Sequence, residues 1–449
     1  MSDGDAAPRL SWGQLLKRGK AARKSARRRS HSACPQADAR ANPLDILARQ
    51  DESRVPELLE LRYARMSAST FAFLRGSAAV MAADLSQTPI TPIYTQLCGD
   101  AHLLNIEIFA SPERRLVFDI TDFDETIRGP FEWDLKRMAT SLVVAARHRG
   151  FNRGAADDAV YACLSRYRAT MREHRDADVL DVLYSSMSER DVLSVLGDGV
   201  DEGELDAGLL GTADTVFAKA RRRTSKRAAQ RLTEVVDGQM RMREDPPVLS
   251  HKGLPADREE LAARFLESYS ASLPSHRRAL LERFEVVDVA RRVVGVGSVG
   301  TRCYVILLHG RDQDDPLVLQ VKEAGPSVLE PFVATTAPRP HGRRVVEGQR
   351  SMQTVSDIFL GWLQAVGPDG VKRDFYLRQF RDMKGSVDID KLDAAGLVTY
   401  ANLCGHLLAN AHARGGQPAE ISGYLGKSDG FIEALTEFAQ AYADLTEQD

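Results

Sequence analysis

The 449-residue chain is 43% hydrophobic and 27% charged, proportions typical of a folded protein with room for two or three domains. No apolar run reaches the roughly 20 residues of a transmembrane helix, and the basic N-terminus lacks the apolar core of a secretory signal. The five cysteines form no CxxC pair, which argues against a disulfide framework and against a zinc site. We therefore expect a cytoplasmic protein with reduced cysteines and no transmembrane segment.

The net charge of −3 conceals a basic segment close to the N-terminus. Residues 17–29 contain eight lysines and arginines and no acidic residue. Such a segment suits nucleic acid or an anionic surface, but a solvated tail explains it more economically. Because residues 1–45 are rich in Ala, Arg and Ser, we expect a basic, disordered arm there.

Beyond the arm, the apolar spacing divides the chain into a larger helical lobe and a smaller β-rich lobe. Residues 46–283 are mostly helical, with short buried strands at 93–98 and 116–123. Residues 284–385 form the β-rich lobe, and residues 386–449 are helices that complete the larger lobe. Within the small lobe a helix is expected at 343–362, and strands at 284–296, 301–308, 316–321 and 374–380. The predicted fold class is α+β.

The first motif with a chemical role is GxGxxG, formed by Gly295, Gly297 and Gly300, with Ser298 inside it. Alone it fits a dinucleotide-binding turn, a phosphate-covering loop or an ordinary glycine-rich hairpin. A dinucleotide site needs a helix after the third glycine, whereas residues 301–308 have strand composition. A turn and a third strand that ends in Val-x-Lys322 come next. This order favours the kinase arrangement, in which the loop covers nucleotide phosphates and the lysine contacts them.

In that arrangement the lysine needs a carboxylate partner from the following helix. Glu347 is the helical acid of most suitable reach, with Asp357 and the amide of Gln353 as competitors. We therefore place Glu347 in the nucleotide site together with the glycine loop and Lys322.

A second polar cluster precedes the glycine loop by about 200 residues. Asp100 and Asn105 follow a short strand, and they supply a carboxylate that accepts a hydroxyl proton and an amide oxygen that holds Mg²⁺. Asp122 and Asp124 lie at the end of the next strand, where one or two carboxylates suffice as magnesium ligands. Asp122 is the preferred ligand and Asp124 the second, whereas Asp119, on the strand itself, is expected to be structural.

These motifs resemble two groups of proteins. Gly99-Asp100-x4-Asn105 followed by Asp122-Phe-Asp124 is similar to the aminoglycoside phosphotransferase and choline kinase branch of the protein-kinase-like superfamily. The fuller strings Cys-Gly-Asp-Ala-His-Leu-Leu-Asn, Phe-Asp-Ile-Thr-Asp-Phe-Asp-Glu and Glu-Trp-Asp-Leu-Lys-Arg resemble a large bacterial family known mainly as a domain of unknown function. That second resemblance extends from about residue 55 to the C-terminus.

The resemblance implies a role for each matching residue. Asp100 would be the catalytic base, Asn105 and Asp122 the metal ligands, and Lys322 the contact to the ATP phosphates. Asp134 would anchor the catalytic loop from a helix, and His412 would support it. The sequence departs from the wider superfamily at Cys98, where His or Arg is usual, and at Asp124, where protein kinases have glycine.

The order of the motifs differs from that of an ordinary kinase, in which the glycine loop and lysine come first. Reading from about residue 285 to the end and then from 90 to 140 restores the usual order. A circular permutation explains this, because chain ends at a surface tolerate such a rearrangement. We therefore expect a permuted, two-lobed, protein-kinase-like fold in which the small lobe is inserted in the larger one.

The segment after the metal-binding acids indicates the kind of substrate. Only six residues separate Asp122 from Gly129, which leaves no room for the activation segment with which protein kinases dock peptides. The expected function is thus ATP- and Mg²⁺-dependent phosphoryl transfer to a hydroxyl of a small molecule. A pseudokinase, adenylyl transfer on the same fold and a nucleic-acid-binding protein that uses the basic arm are the alternatives. Arg75 is a weaker candidate for an anion contact, with a structural role preferred.

Overall fold

The computed structural model describes residues 10–449 apart from residues 37, 204, 368 and 381 and the side chain of residue 207. The described part combines helices with antiparallel sheets, in agreement with the predicted α+β class. The helices are α1 (Trp12–Ala22), α2 (Pro43–Asp51), α3 (Leu59–Met66), α4 (Thr70–Gly76), α5 (Ala78–Leu85), α6 (Glu132–His148), α7 (Arg153–Asp176), α8 (Val179–Tyr184), α9 (Glu189–Asp201), α10 (Ala207–Arg222), α11 (Ser225–Leu232), α12 (Arg258–Ser270), α13 (Ser275–Leu281), α14 (His341–Met352), α15 (Ala394–Gly415), α16 (Pro418–Leu425) and α17 (Gly430–Gln448).

The strands fall into one larger and three smaller sheets. They are β1 (Tyr94–Leu97), β2 (Ile106–Ala110), β3 (Leu116–Ile120), β4 (Ile127–Pro130), β5 (Thr233–Val236), β6 (Gln239–Met242), β7 (Leu249–Ser250), β8 (Glu285–Arg292), β9 (Cys303–His309), β10 (Pro316–Glu323), β11 (Gly361–Val366), β12 (Lys372–Gln379) and β13 (Gly385–Ser386).

The large sheet has six strands in the order β11-β12-β10-β9-β8-β7. All its neighbouring strands pair antiparallel, and Lys322 near the end of β10 lies opposite Cys303 on β9 and Tyr376 on β12. The alternating apolar residues of these strands bury one face against α12 and α13, with Leu266 and Tyr269 in the shared core. Helix α14 packs beside β11 and β12.

The boundary predicted at residue 283 does not separate two packing units. Helices α11 and α12 pack on the strands of the large sheet, and Ala229 and Leu266 belong to its hydrophobic cores. The helices between residues 225 and 281 therefore pack on the large sheet, whereas the sequence grouped them with the helical part of the chain. Sequence periodicity identified them as helical but carried no information about the surface against which they pack.

The helical lobe is built around the long helices α6, α7 and α15. Their buried apolar faces share one core with the β2–β3 hairpin, and α17 packs across α6. At one point α7 and α15 come so close that a Cβ added to Gly405 would lie 2.0 Å from the carbonyl oxygen of Cys163. The core therefore joins residues from both ends of the chain.

The prediction of a disordered arm is wrong for its described residues. Helix α1 packs against α16, and Arg18 forms an ion pair of 2.5 Å with Glu420. Arg23 and Arg28 donate to carbonyl groups at the C-terminal end of α16, where a helix attracts positive charge. The basic residues that suggested a solvated tail thus partly serve to attach the segment. Residues 1–9 of the predicted arm lie outside the described residues.

Two further differences concern single elements. The helix predicted at 343–362 ends at Met352, and the strand β11 begins at Gly361. The strand β2, which starts directly after Asn105, is not predicted from sequence because no turn residue separates it from the motif that ends at Asn105.

Candidate functional site

A cleft of about 670 Å³ lies between the large sheet and the β2–β3 hairpin. Five residues selected from sequence line it: Asn105, Asp122, Gly295, Ser298 and Lys322. They come from two segments that are about 200 residues apart in the chain. The fold therefore brings the two predicted motifs to one place.

The loop that carries Asp100 is held from helix α6 by Asp134, which is almost completely buried. The Asp134 carboxylate accepts the backbone N–H groups of Cys98 at 2.8 Å and Gly99 at 3.0 Å. Its Oδ2 also lies 3.2 Å from His412 Nε2, on helix α15. Gly99 has φ +87°, and an added Cβ would lie 2.2 Å from the carbonyl oxygen of Glu125, so only glycine fits there.

Asp100 is positioned by a second residue of helix α6. Arg137 Nε donates to Asp100 Oδ1 at 2.8 Å, and Asn105 Nδ2 donates to the Asp100 carbonyl oxygen at 2.7 Å. Asp100 Oδ2 lies 3.9 Å from His102 Nε2 and accepts no hydrogen bond from the described residues. Burial lowers the pKa of His102 to about 4, so this neighbour is uncharged at neutral pH. One Asp100 oxygen is thus fixed and the other is left as an acceptor.

The remaining charged residues of the Glu-Trp-Asp-Leu-Lys-Arg string hold the start of the same region. Glu132 accepts the backbone N–H and the hydroxyl of Thr91, both at 2.6 Å. Lys136 donates to Thr88 at 3.0 Å and lies over the ring of Phe438. Four charged side chains within six residues are buried here, and each has a structural partner.

Asn105 and Asp122 provide oxygen donors that suit Mg²⁺. Asn105 uses its amide N–H group internally, and its Oδ1 accepts no hydrogen bond from the described residues. Asp122 lines the cleft, and one of its oxygens accepts the Asp124 N–H at 3.3 Å. The described residues contain no group of three or more His, Cys, Asp or Glu able to hold a metal by itself. One carboxylate and one amide fit an ion that takes its other ligands from water and phosphate.

Asp124 has a different environment from the one predicted for it. Its Oδ2 accepts a hydrogen bond of 2.6 Å from Lys322 Nζ, and its Oδ1 accepts one from the hydroxyl of Tyr376. Both carboxylate oxygens are therefore used by protein groups. In place of a second metal ligand, Asp124 is the counter-ion of the buried lysine.

Charges across the cleft favour the ionised forms of Lys322 and Asp122. Burial alone would lower the pKa of Lys322, but Asp124, Tyr376 and Asp122 raise it well above its usual value. Burial likewise opposes ionisation of Asp122, yet Lys322 and Arg378 keep its pKa below the usual range. Lys322 has three N–H donors and one hydrogen-bond partner among the described residues, so two donors are left for a ligand.

Glu347, which the sequence suggested as the carboxylate partner of Lys322, does not pair with this lysine. It lies on the exposed face of α14, and its carboxylate accepts a hydrogen bond of 2.7 Å from Arg343, one helical turn away. The buried face of the same helix presents Gln349 to the cleft. The spacing of Arg343, Glu347 and Arg350 is that of one polar helix face, a signal that would have excluded Glu347.

The glycine loop is attached to helix α3 and to the segment that precedes it. Arg65 donates to the carbonyl oxygen of Gly295 at 2.7 Å, and Val55 donates its N–H to that of Gly300 at 2.8 Å. Gly295 and Gly300 have φ +67° and +91°, conformations that favour glycine. At Gly297 an added Cβ would lie 2.9 Å from the backbone carbonyl oxygen of Arg75.

Several polar residues in the cleft were not selected from sequence. Arg378 lies across the strand from Gln320 and donates to its side chain at 3.2 Å and to the Thr121 carbonyl at 3.0 Å. Lys384 forms an ion pair with Glu107 in the same cleft. Arg378 lies on β12 and Lys384 directly precedes β13, in segments without a motif, so only their position after folding identifies them.

A family model described as an uncharacterized protein conserved in bacteria, DUF2252, matches residues 54–449. The chain belongs to this family. No curated protein and no solved structure matches the chain.

Among the described helices, none combines the length and apolar character that crossing a bilayer requires. All five cysteines are free.

Proposed function

We propose that this chain is an ATP- and Mg²⁺-dependent phosphotransferase that acts on a hydroxyl group of a small molecule. The observation that carries the proposal is that Lys322, Asp122, Asn105 and the glycine loop line the same cleft. Phosphoryl transfer needs a cation for the phosphates, oxygen ligands for the metal and a nearby proton acceptor. Each of these requirements is met by residues at or beside the cleft.

The proposed step uses Asp100 as the base. Asp100 Oδ2 takes the proton of the acceptor hydroxyl while the hydroxyl oxygen forms a bond to the γ-phosphorus of ATP. The bond from the γ-phosphorus to the bridging oxygen breaks, and ADP leaves with the electron pair. Lys322 contacts the phosphates, and Arg137 keeps the base in place. Bound to Asn105 and Asp122, Mg²⁺ would neutralise phosphate charge.

The strand order supports a protein-kinase-like small lobe. The glycine loop joins β8 and β9, the lysine lies on the adjacent β10, and helix α14 follows before β11. In protein kinases the loop, the lysine strand and the helix follow in this sequence. The difference is that the helix contributes no acid, since Asp124 has taken over the pairing with the lysine.

Contacts between α15 and β1 support the proposed permutation. The Thr95 hydroxyl donates to the His412 carbonyl oxygen at 3.1 Å. A Cβ added to Gly416 would lie 2.3 Å from Thr95 Oγ1, so the end of α15 touches the start of the catalytic region. The end of one segment and the start of the other are thus neighbours, which is the placement that a rearranged kinase order requires.

A small acceptor is proposed because the segment after Asp122 is occupied by internal contacts. Arg344 donates to the carbonyl groups of Asp124 at 2.8 Å and Thr126 at 2.6 Å. Ser327 donates to the carbonyl of Glu125 at 2.7 Å. The backbone groups with which a kinase would dock a peptide are therefore already paired.

The proposal is tested by calorimetric titration of Mg-ATP into the wild type and into Lys322→Met and Asp122→Asn. We expect both variants to lose at least about tenfold in affinity, which corresponds to roughly 1.4 kcal/mol. Thermal unfolding of each variant controls for misfolding, because Lys322→Met leaves Asp124 without its cation. Absence of Mg-ATP binding at millimolar concentration by the wild type would refute the proposal.

Mass spectrometry of the product separates the alternatives. A phosphate added to the acceptor supports phosphoryl transfer, whereas addition of AMP indicates adenylyl transfer by the same cleft. If the protein binds ATP but phosphorylates no compound in a broad screen of hydroxyl compounds, the pseudokinase alternative, a regulatory protein that binds ATP, is favoured.

A further inference from the structure

Arg75, near the end of helix α4, lines the cleft together with Lys322 and Asp122. Its guanidinium forms no hydrogen bond and no ion pair with any residue that the structure describes. Its Nε is buried and also has no partner. Arg75 is half-buried, so its guanidinium is within reach of a ligand in the cleft. A buried donor such as its Nε is costly in a folded protein unless a partner completes its hydrogen bond.

The other arginines of this region have protein partners, which makes Arg75 an exception. Arg137 bonds to Asp100 and to the Leu74 carbonyl, Arg344 to two carbonyl groups of the loop after Asp122, and Arg378 to Gln320 and Thr121. Each of these arginines fixes a neighbouring segment. The side chain of Arg75 fixes none, so a structural role does not explain it.

The backbone of Arg75 places this side chain between the two halves of the proposed site. Its carbonyl group meets the glycine loop at Gly297. Burial lowers the pKa of Arg75, whereas the nearby carboxylates of Asp100, Asp122 and Glu107 favour the charged guanidinium. Because Arg75 lines the same cleft as the glycine loop and Lys322, a nucleotide held by those two elements would bring its terminal phosphate towards this guanidinium.

We propose that Arg75 binds the terminal phosphoryl group of the bound nucleoside triphosphate and stabilises the charge that its oxygens carry during transfer. This inference rests on the proposed function. The planar guanidinium matches phosphate oxygens with paired donors, and an arginine at this position in phosphoryl transfer acts mainly on the transferred group. An anionic group on the acceptor has the same chemistry, and the comparison of ATP with ADP separates the two sources.

The test is calorimetric titration of Mg-ATP and Mg-ADP into four proteins: the wild type, Arg75→Gln, Arg75→Lys and Arg49→Gln. We expect Arg75→Gln to weaken Mg-ATP binding about tenfold while Mg-ADP binding changes less than about twofold. Arg75→Lys keeps the charge but loses the paired donors, so its loss of ATP preference should be intermediate. Arg49 is an exposed arginine on α2, and Arg49→Gln should match the wild type.

Each outcome has a defined meaning. A selective loss of ATP affinity supports the terminal-phosphate contact. If Arg75→Gln loses equal affinity for ATP and ADP, or loses none, the terminal-phosphate contact is overturned while the proposed function stays intact. If the wild type binds neither nucleotide, the proposed function fails and the inference fails with it. Thermal unfolding checks each variant, and Arg75→Lys carries the test if Arg75→Gln does not fold.

Discussion

The two walls of the cleft are held in place by different physical means. The loop wall, residues 97–137, is fixed by buried charged side chains, chiefly Asp134 and Arg137, that bond to backbone groups and to Asp100. The sheet wall, residues 293–323, is fixed by backbone groups that approach closely at Gly297 and Gly300. The first wall should therefore be sensitive to charge and pH, and the second to side-chain volume.

The largest effect is expected for Asp134→Ala in the loop wall. The change leaves the N–H groups of Cys98 and Gly99 buried without an acceptor. Each such group costs about 1–3 kcal/mol, so the free energy of unfolding should fall by roughly 3–5 kcal/mol. Urea denaturation measures this loss. The control is Asp388→Ala, which removes an exposed carboxylate that accepts the backbone N–H of Asp390 and should cost about 1 kcal/mol. A loss below about 1 kcal/mol for Asp134→Ala would show that the hydrogen bonds of Asp134 do not stabilise the loop wall.

The loop wall should also give the stability a dependence on pH through Glu125. Burial raises the pKa of this residue from 4.5 to about 7. A raised pKa means that the folded state holds the proton more tightly than the unfolded state does. Its contribution is complete below pH 4.5 and is lost as the pH rises through about 7.

The expected size of this loss is roughly 3 kcal/mol, since one pKa unit corresponds to about 1.4 kcal/mol. Urea denaturation of the wild type and of Glu125→Gln at pH 5 and pH 8 measures it. The variant should be less dependent on pH than the wild type by that amount. Parallel curves for the two proteins would contradict the assignment.

A smaller effect is expected for added volume in the sheet wall. Gly297→Ala places a methyl group 2.9 Å from the Arg75 carbonyl oxygen, so the glycine loop must move away from helix α4. We expect Mg-ATP affinity to fall about tenfold with little pH dependence. Gly13→Ala, where an added Cβ contacts nothing within 4 Å, is the matched control. Unchanged affinity in Gly297→Ala would mean that the contact with α4 does not position the loop.

The smallest effect is expected for Glu347→Gln. The structure places this acid on the exposed face of α14, with Arg343 as its partner. Mg-ATP affinity should therefore stay within about twofold of the wild type. A large loss in calorimetry would mean that the helix acid pairs with Lys322 when nucleotide is bound.

The positions of the candidate residues could be predicted where a motif directly adjoins its strand. Asp100, Asn105 and Asp122 follow short apolar runs, and Lys322 ends one, so their approximate positions followed from strand periodicity. Helical spacing around Glu347 does not indicate which face of α14 meets the sheet, and the structure places this acid on the exposed face. Asp124 was misassigned because a carboxylate in an acidic motif fits a metal and a lysine equally well until the fold brings Lys322 beside it.

Other contacts could not be predicted from the sequence because their partners are distant in the chain. The pairing of Arg18 with Glu420 spans 402 positions, and no local pattern signals it. The sequence allows Arg75 to bind an anion but favours a structural role. Only the folded environment shows that its guanidinium lacks the protein partners that such a role requires.

The contact between Asp134 and His412 has a consequence for synthesis of the chain on the ribosome. The two residues are separated by 278 positions, and α15 and α17 complete the core around α6. The loop that carries Asp100 is translated early, but α15 and α17 leave the ribosome among the last. Helix α6 therefore stays incompletely packed while the strands of the large sheet are made, and chaperone binding during that interval should centre on α6.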